Sequence, residues 1–337
     1  MSGGPALVAA VSARLTASVA RVESGIRIEL PDLGYEGVES YASVECHAEE
    51  KRRRWREYAA APSPQTFALL RTSDPANLVK LALAEVLAHI GRGEERAFRV
   101  RIESELPTGS GLGSSAAVAV AVVASILTDR GIEAEPHLVE GLALAAERCQ
   151  HGMPSGLDVK AVIHGGVLWS EGRSKEGGLE LAAVRVDPAV LEGFAIFDTG
   201  RPNEPTGAVV AHVRSLEKGQ PVVFRQAMAT LSLGARSLHR GLVKGDSLRI
   251  AAAIRSLEAG LEALGVVPPG IAEIVRAIEA EGGAAKISGA GSLSGPAAGS
   301  LLVYHPNAEL VQSWEVLSAL PRLRAELGTG GLRLEPA

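Results

Sequence analysis

Apolar and polar residues alternate over Leu15–Val22 and again over Ile26–Leu30, with Gly25 breaking the pattern, which predicts two strands joined as a hairpin. Phe98, Val100 and Ile102 alternate with charged neighbours, so Ala97–Glu103 is predicted as a half-exposed strand. Asp74-Pro75 supplies a cap and a proline suited to a first helical turn, and Leu78, Leu81, Ala82, Glu85 and Val86 carry a helical repeat toward His89. Further helices are predicted over Ser114–Thr128, Pro136–Gln150, Thr206–Glu217, Val222–His239, Ser247–Leu264 and Gly270–Ala280. Short apolar runs at Gly165–Trp169, Leu179–Val186, Gly193–Phe197, Ala285–Ile287 and Ser300–Tyr304 read as strands. The stretch Pro31–Pro64 is polar, and its run from Glu49 to Glu57 balances both signs, as in a solvated insertion or helix face. Helices mixed with antiparallel hairpins give an α+β class, with domains expected at 1–190 and 191–337.

Composition narrows the partners. The 337 residues are 46% hydrophobic and carry a net charge of −5, which gives no bulk electrostatic attraction to nucleic acid or an anionic membrane and favours a small-molecule partner. With only 4% aromatic residues and 38 glycines, the core must be built on Ala, Val and Leu, and the backbone must turn tightly in many places. Ala116–Leu127, the longest apolar stretch, falls well short of the ~20 residues that span a bilayer. No basic residue precedes the apolar segment Pro5–Ala13 and Arg14 follows it, so no cleaved export signal is expected. The two cysteines, Cys46 and Cys149, suit a reducing compartment, and a cytoplasmic location is expected.

The strongest local signal is Pro107-Thr108-Gly109-Ser110-Gly111-Leu112-Gly113-Ser114-Ser115, a glycine turn running from a strand into a helix. Positions without side chains let backbone N–H groups approach a phosphate, and a helix N-terminus adds unpaired donors and a favourable dipole. The segment is neither a P-loop, since no G-x-x-x-x-G-K-[ST] occurs, nor a dinucleotide fingerprint, since Ser114 stands where the last glycine would. On turn chemistry alone a phosphate cradle and a structural turn stand level.

The pattern P-x-x-x-G-L-x-S-S-A, from Pro107 to Ala116, resembles the ATP-binding motif of the GHMP kinases, which include galactokinases, homoserine kinases, mevalonate kinases and phosphomevalonate kinases. The segment Glu147-Arg148-Cys149-Gln150-His151-Gly152-Met153-Pro154-Ser155-Gly156-Leu157-Asp158 resembles the mevalonate kinase stretch that pairs a metal-binding glutamate with a catalytic aspartate. Lys286-Ile287-Ser288-Gly289-Ala290-Gly291 is similar to the family's third motif, and Gly4-Pro5-Ala6-Leu7 to the end of its first, with no lysine and G-E-H segment ahead of it. The mevalonate kinases are the branch that the chain resembles most.

The resemblance implies the two-domain GHMP fold, mixed sheets packed against helices, with an N-terminal ATP-binding domain whose first motif is incomplete. It implies ATP and Mg²⁺ as cofactors and the phosphorylation of a small-molecule hydroxyl, above all the 5-hydroxyl of mevalonate or a related hydroxy acid in isoprenoid precursor synthesis. Nucleotide contacts are implied at Pro107, Gly109, Ser110, Gly111, Leu112, Gly113, Ser114 and Ser115, and at Gly289, Ala290 and Gly291. Asn77 stands level between an adenine contact and a helix-start residue. Ser115 and Glu147 are the implied metal ligands, a hydroxyl and a carboxylate as Mg²⁺ prefers, and Asp158 is the implied catalytic residue, taking or orienting the acceptor's proton.

Ser155, Gly156 and His151 are carried as substrate contacts, although His151 by itself reads first as a structural histidine satisfied by backbone, and Lys160 as a solvent-facing lysine. The segment Asp198–Gly207 is similar to the mevalonate-branch loop D-[ST]-x-x-x-x-x-x-T, which makes Thr206 a substrate or phosphate contact or else a helix cap. Arg201 is a candidate counter-charge for the acceptor carboxylate. The third motif departs from the family at Ser292-Leu293-Ser294-Gly295-Pro296, which replaces an unbroken glycine run and implies a reshaped cradle. Two other readings compete: a phosphomevalonate kinase or decarboxylase of the same superfamily, and a nucleotide-binding protein without turnover. The resemblance also admits a homodimer.

Overall fold

The computed structural model describes residues 4–91, 95–106, 109–172 and 179–335. The strands run β1 (Ala6–Ala9), β2 (Leu15–Arg21), β3 (Ile26–Leu30), β4 (Tyr35–Glu39), β5 (Phe98–Ser104), β6 (Val167–Ser170), β7 (Ala182–Ala183), β8 (Phe194–Asp198), β9 (Ala284–Ser288), β10 (Ser300–Tyr304) and β11 (Arg322–Leu323). The helices run α1 (Tyr41–Ala60), α2 (Pro64–Ala68), α3 (Asn77–Ile90), α4 (Ser114–Asp129), α5 (Pro136–His151), α6 (Leu157–His164), α7 (Pro188–Leu191), α8 (Thr206–Gly219), α9 (Pro221–Lys244), α10 (Ser247–Ala263), α11 (Pro269–Ala280) and α12 (Ala308–Ser313). They form two compact units whose chain segments interleave. One comprises Met1–Ala13, Pro107–Leu112 and Gly165–Thr329, and the other Arg14–Leu106, Gly113–His164 and Gly330–Ala337. Each compact unit is thus discontinuous in sequence.

The second unit is built on the sheet β2-β5-β3-β4. The expected hairpin is corrected here: β2 and β3 do not pair, because β5 lies between them, antiparallel to β2 and parallel to β3. β3 pairs instead with β4, a strand that the polar composition of 31–64 concealed. Ile26, Ile28, Phe98, Val100 and Ile102 form one sheet face and pack with Leu81 and Leu83 of α3, Val120, Val123 and Leu127 of α4 and Val139 of α5. Helix α4 reads as a helix because Ala116, Ala119, Val120, Val123, Ala124 and Leu127 recur at helical spacing, and all are buried. The charged run lies on α1, where Arg54 pairs with Glu50 on the surface as expected of a solvated face. Its neighbours turn inward: Lys51 is buried with Nζ donating to the Leu70 carbonyl at 3.1 Å, and Arg52 reaches Glu85 at 2.8 Å.

The first unit carries the antiparallel sheet β11-β8-β10-β9 and the smaller sheet β1-β6-β7. Phe197, Leu301, Val303 and Ile287 pack with Val213 of α8 and with Ile271 and Ile278 of α11. A neighbouring cluster joins Trp169, Tyr304, Leu238, Leu242, Ile250 and Ile254, and the Trp169 ring stacks on His239 with centroids 4.5 Å apart. Among the described residues no helix is long and apolar enough to cross a membrane.

Candidate active site

In the second unit, helix α4 begins at Gly113, whose φ of +74° lets the chain enter the helix sharply. Among the described residues no side chain caps this end, which leaves the first-turn N–H groups of a 16-residue helix for an external acceptor. Ser115, in that turn, lies with Oγ 2.5 Å from Glu147 Oε1 and 2.8 Å from His151 Nε2. Glu147 and His151 are one turn apart on α5 and share a face, which is how a motif spaced by four residues converges on one hydroxyl. His151 therefore meets side chains rather than the backbone expected of a structural histidine.

Glu147 is only 6% exposed. Burial pushes its carboxyl above the usual range, and nearby Asp158 reinforces the rise, while His151 and the Ser115 hydroxyl oppose it. A buried carboxylate destabilised in this way gains from a cation. Asp158 lies in the first turn of α6 beside Gly113, where a Cβ would stand 3.6 Å from the Asp158 Cβ. Asp158 is exposed as a residue, and desolvation of its carboxyl by the surrounding protein raises it above the usual range, with His151 opposing the rise. A hydroxyl and a carboxylate, with a second carboxylate in the same cluster, form a hard-oxygen donor set that fits Mg²⁺, which completes its shell with water and phosphate oxygens. Among the described residues no three His, Cys, Asp or Glu side chains form an all-protein metal cage.

The turn into α6 is shaped locally. Ser155 Oγ accepts from Leu157 N at 3.2 Å, and Gly156 is buried at φ +83°. Lys160 points away from this chemistry into a part-buried ion pair with Glu140 at 2.7 Å, not into solvent. Asn77 is 2% exposed, its Oδ1 accepting from His47 Nε2 at 2.8 Å and its Nδ2 donating to Gln150 Oε1 at 2.6 Å. Both ends of the amide serve the packing of α1, α3 and α5, and contact with a nucleotide would require that network to open.

The first unit holds the glycine loop 109–112. Pro107 and Thr108 lie outside the described residues. The loop packs backbone to backbone on the third-motif turn: a Cβ on Gly111 would stand 2.8 Å from the Ser288 carbonyl, and one on Gly289 would stand 2.9 Å from the Gly111 Cα. Ser300 fastens it from β10, with N and Oγ both donating to the Ser110 carbonyl at 2.8 and 2.7 Å. Ser110 is 2% exposed, and its own Oγ has no hydrogen-bond partner among the described residues. Gly291 has φ +78°, and beyond it Ser292 N donates to the Val266 carbonyl at 2.9 Å. Arg201 lies along the loop, its Cγ 3.5 Å from where a Gly109 Cβ would be, with the side chain exposed and in no ion pair among the described residues. Thr206 is the first residue of α8, after Pro205 in the cap position, and among the described residues no side-chain capping hydrogen bond closes this end.

The sequence and the fold are similar to those of known proteins. Residues 77–166 match the GHMP kinases N terminal domain, and residues 238–312 match the GHMP kinases C terminal domain. Mevalonate kinase of Pyrococcus furiosus is 26% identical, over 99% of this chain and 92% of its own length. Among solved structures, the L. major mevalonate kinase in complex with R-mevalonate superposes with a TM-score of 0.66 at 19% identity, covering 97% of this chain and 90% of that one. Lactococcus lactis galactokinase complexed with galactose gives 0.71 at 17% identity, covering 98% and 90%. With both family domains matched in sequence order and relatives alike along nearly the whole chain, the chain belongs to the GHMP kinases and is a small-molecule kinase.

Proposed function

We propose that this kinase transfers the γ-phosphoryl group of ATP to the 5-hydroxyl of mevalonate, as a cytoplasmic enzyme of isoprenoid precursor synthesis. The observation that carries the reading is the cluster at the start of α4, where the hydroxyl of Ser115, the buried carboxylate of Glu147 and His151 meet, with Asp158 lying against Gly113. Phosphoryl transfer asks a protein for positioning and charge compensation more than for covalent chemistry. The uncapped N–H groups of α4, and in its own unit the backbone of the glycine loop, are each donors suited to phosphate oxygens. Ser115 and Glu147 would hold Mg²⁺, which when bound neutralises charge on the phosphates. Asp158 orients the acceptor hydroxyl and accepts its proton at the carboxylate, a task favoured by the raised affinity of that carboxyl for protons. Arg201, exposed and in no ion pair among the described residues, offers a bidentate fork to the acceptor's carboxylate, and Thr206 a hydroxyl.

Likeness to the mevalonate kinase of P. furiosus along nearly the whole chain favours mevalonate over other acceptors. The fold by itself does not choose, since the superposable structures hold R-mevalonate in one case and galactose in another. The test is ADP release from ATP and Mg²⁺ with mevalonate, phosphomevalonate, homoserine and galactose offered separately. Stimulation by mevalonate above the other three is expected. Preference for another acceptor would move the substrate assignment, and ATP binding with no acceptor-dependent release would favour a binding protein.

A further inference from the structure

The serine-rich turn that replaces the family's glycine run is closed by an anion from its own chain. Glu204 Oε2 accepts from Leu293 N at 2.9 Å and lies 2.6 Å from Ser292 Oγ, while Oε1 lies 2.5 Å from Ser294 Oγ. Asn203, one residue earlier, lies over Gly295, where a Cβ would overlap its amide, and its Nδ2 is 3.4 Å from Ser294 Oγ. Ser292 is fully buried, so one side of this clasp is anchored in the unit's interior. The other side is the segment from Arg201 to Thr206, which is largely exposed and lies outside regular structure until α8 begins. Partial desolvation pushes the Glu204 carboxyl up, but the hydrogen bonds from Ser292, Ser294 and Leu293 together outweigh it and hold the group at about 2, so the clasp stays charged across any assay range.

We propose that Glu204 is a positioning residue: a carboxylate supplied in cis fills the donors of the 292–294 turn and holds the Arg201–Thr206 segment in the conformation that receives the acceptor. This rests on the kinase reading and on that segment as the acceptor loop. The serines are then the functional counterpart of Glu204 and not a degraded glycine run. A loop ordered before binding spares the acceptor the cost of ordering it, so the effect belongs in acceptor affinity and not in nucleotide affinity.

The experiment uses the full chain and the acceptor that the wild-type enzyme phosphorylates. Glu204→Ala is expected to raise the acceptor KM roughly tenfold while leaving the ATP KM within about twofold, the scale of losing charge-assisted hydrogen bonds at one site. Glu204→Gln keeps an oxygen for Leu293 N and is expected to restore most of that loss. Ser294→Ala should raise the acceptor KM by less, and combined with Glu204→Ala should add nothing further, because both act through one contact. Amide exchange at Leu293 reports the clasp without any activity, and its protection should fall in Glu204→Ala. Unchanged Leu293 protection would show that the clasp is absent, and lost protection with an unchanged acceptor KM would show that it positions nothing; either overturns the proposal. Absence of acceptor-dependent ADP release by the wild-type chain overturns the kinase reading instead, with Leu293 exchange still reporting the clasp by itself.

Discussion

Replacing Glu258 by glutamine isolates the cost of one buried charge. Glu258 sits on α10 with no exposed surface; its Oε2 accepts from Ile287 N of β9 at 3.0 Å, and its Oε1 has no hydrogen-bond partner among the described residues. Burial pushes the carboxyl from the ordinary 4.5 up to about 7, against the hydrogen bond from Ile287 and the pull of Lys286, with Glu262 reinforcing the rise and Arg276 opposing it. Lys286 is itself pushed down by burial and partly restored by Glu258. A carboxylic acid whose folded value is raised binds more protons in the native than in the unfolded state between the two values, so stability falls as pH rises through that window. Below 4.5 the group contributes nothing, since both states are protonated; above about 7 it costs about 3 kcal/mol. Glutamine has no proton to lose. Urea unfolding followed by tryptophan fluorescence at pH 5 and pH 8 should therefore show the wild type losing ~2.5 kcal/mol relative to Glu258→Gln. Any fixed cost of the new amide cancels in that comparison. Parallel stability curves for the two proteins from pH 5 to pH 8 would refute the reasoning.

Three further outcomes follow from the site and its supports. Asp158→Asn should lower turnover by at least about 10²-fold while leaving ATP binding intact, as measured by single-turnover rates beside nucleotide titration. Gly111→Ala should destabilise the protein by more than about 2 kcal/mol and weaken nucleotide binding, because a left-handed backbone would carry a Cβ facing carbonyl and Cα atoms that cannot move aside. Gly131→Ala is its control, with φ +71° but open space around it, and should cost only ~1 kcal/mol in the same denaturation assay. Trp55→Phe removes the indole N–H that donates to the Gly152 carbonyl at 2.7 Å, and should cost about 1–3 kcal/mol of stability by leaving that acceptor unpaired.

What could be read along the chain was whatever repeats locally. The alternation Phe98-Arg99-Val100-Arg101-Ile102 announces β5, and the helical spacing of Ala116 to Leu127 announces α4, because burial on one face leaves a period in the sequence. Pairing leaves no such trace. β5 enters between β2 and β3 from about seventy residues away, and nothing in Leu15–Leu30 says that its two strands are not each other's neighbours. Helix α1 was obscured for a different reason: only Val44, Ala48, Lys51 and Tyr58 of its twenty residues are buried, and one of those four is a lysine. β11 and α12 are too short for any period to register.

The same distinction between local and distant information runs through the site. The glycine turn and the Glu147-to-Asp158 segment are legible because their chemistry is packed into single stretches of chain, with fixed residue types at fixed spacing. That His151 meets Ser115, that Asn77 is enclosed by His47 and Gln150, and that Glu204 closes a turn 88 residues away are properties of packing, each joining residues whose spacing carries no periodic signal. Acceptor choice belongs to this second class. On the function proposed above, the phosphate end of the reaction is written in contiguous motifs, whereas the acceptor end depends on how the irregular segment 201–206 is held. A residue whose type conflicts with its motif is therefore informative in its own right: the serines at 292 and 294 acquire a reason only once Glu204 is seen to need donors there.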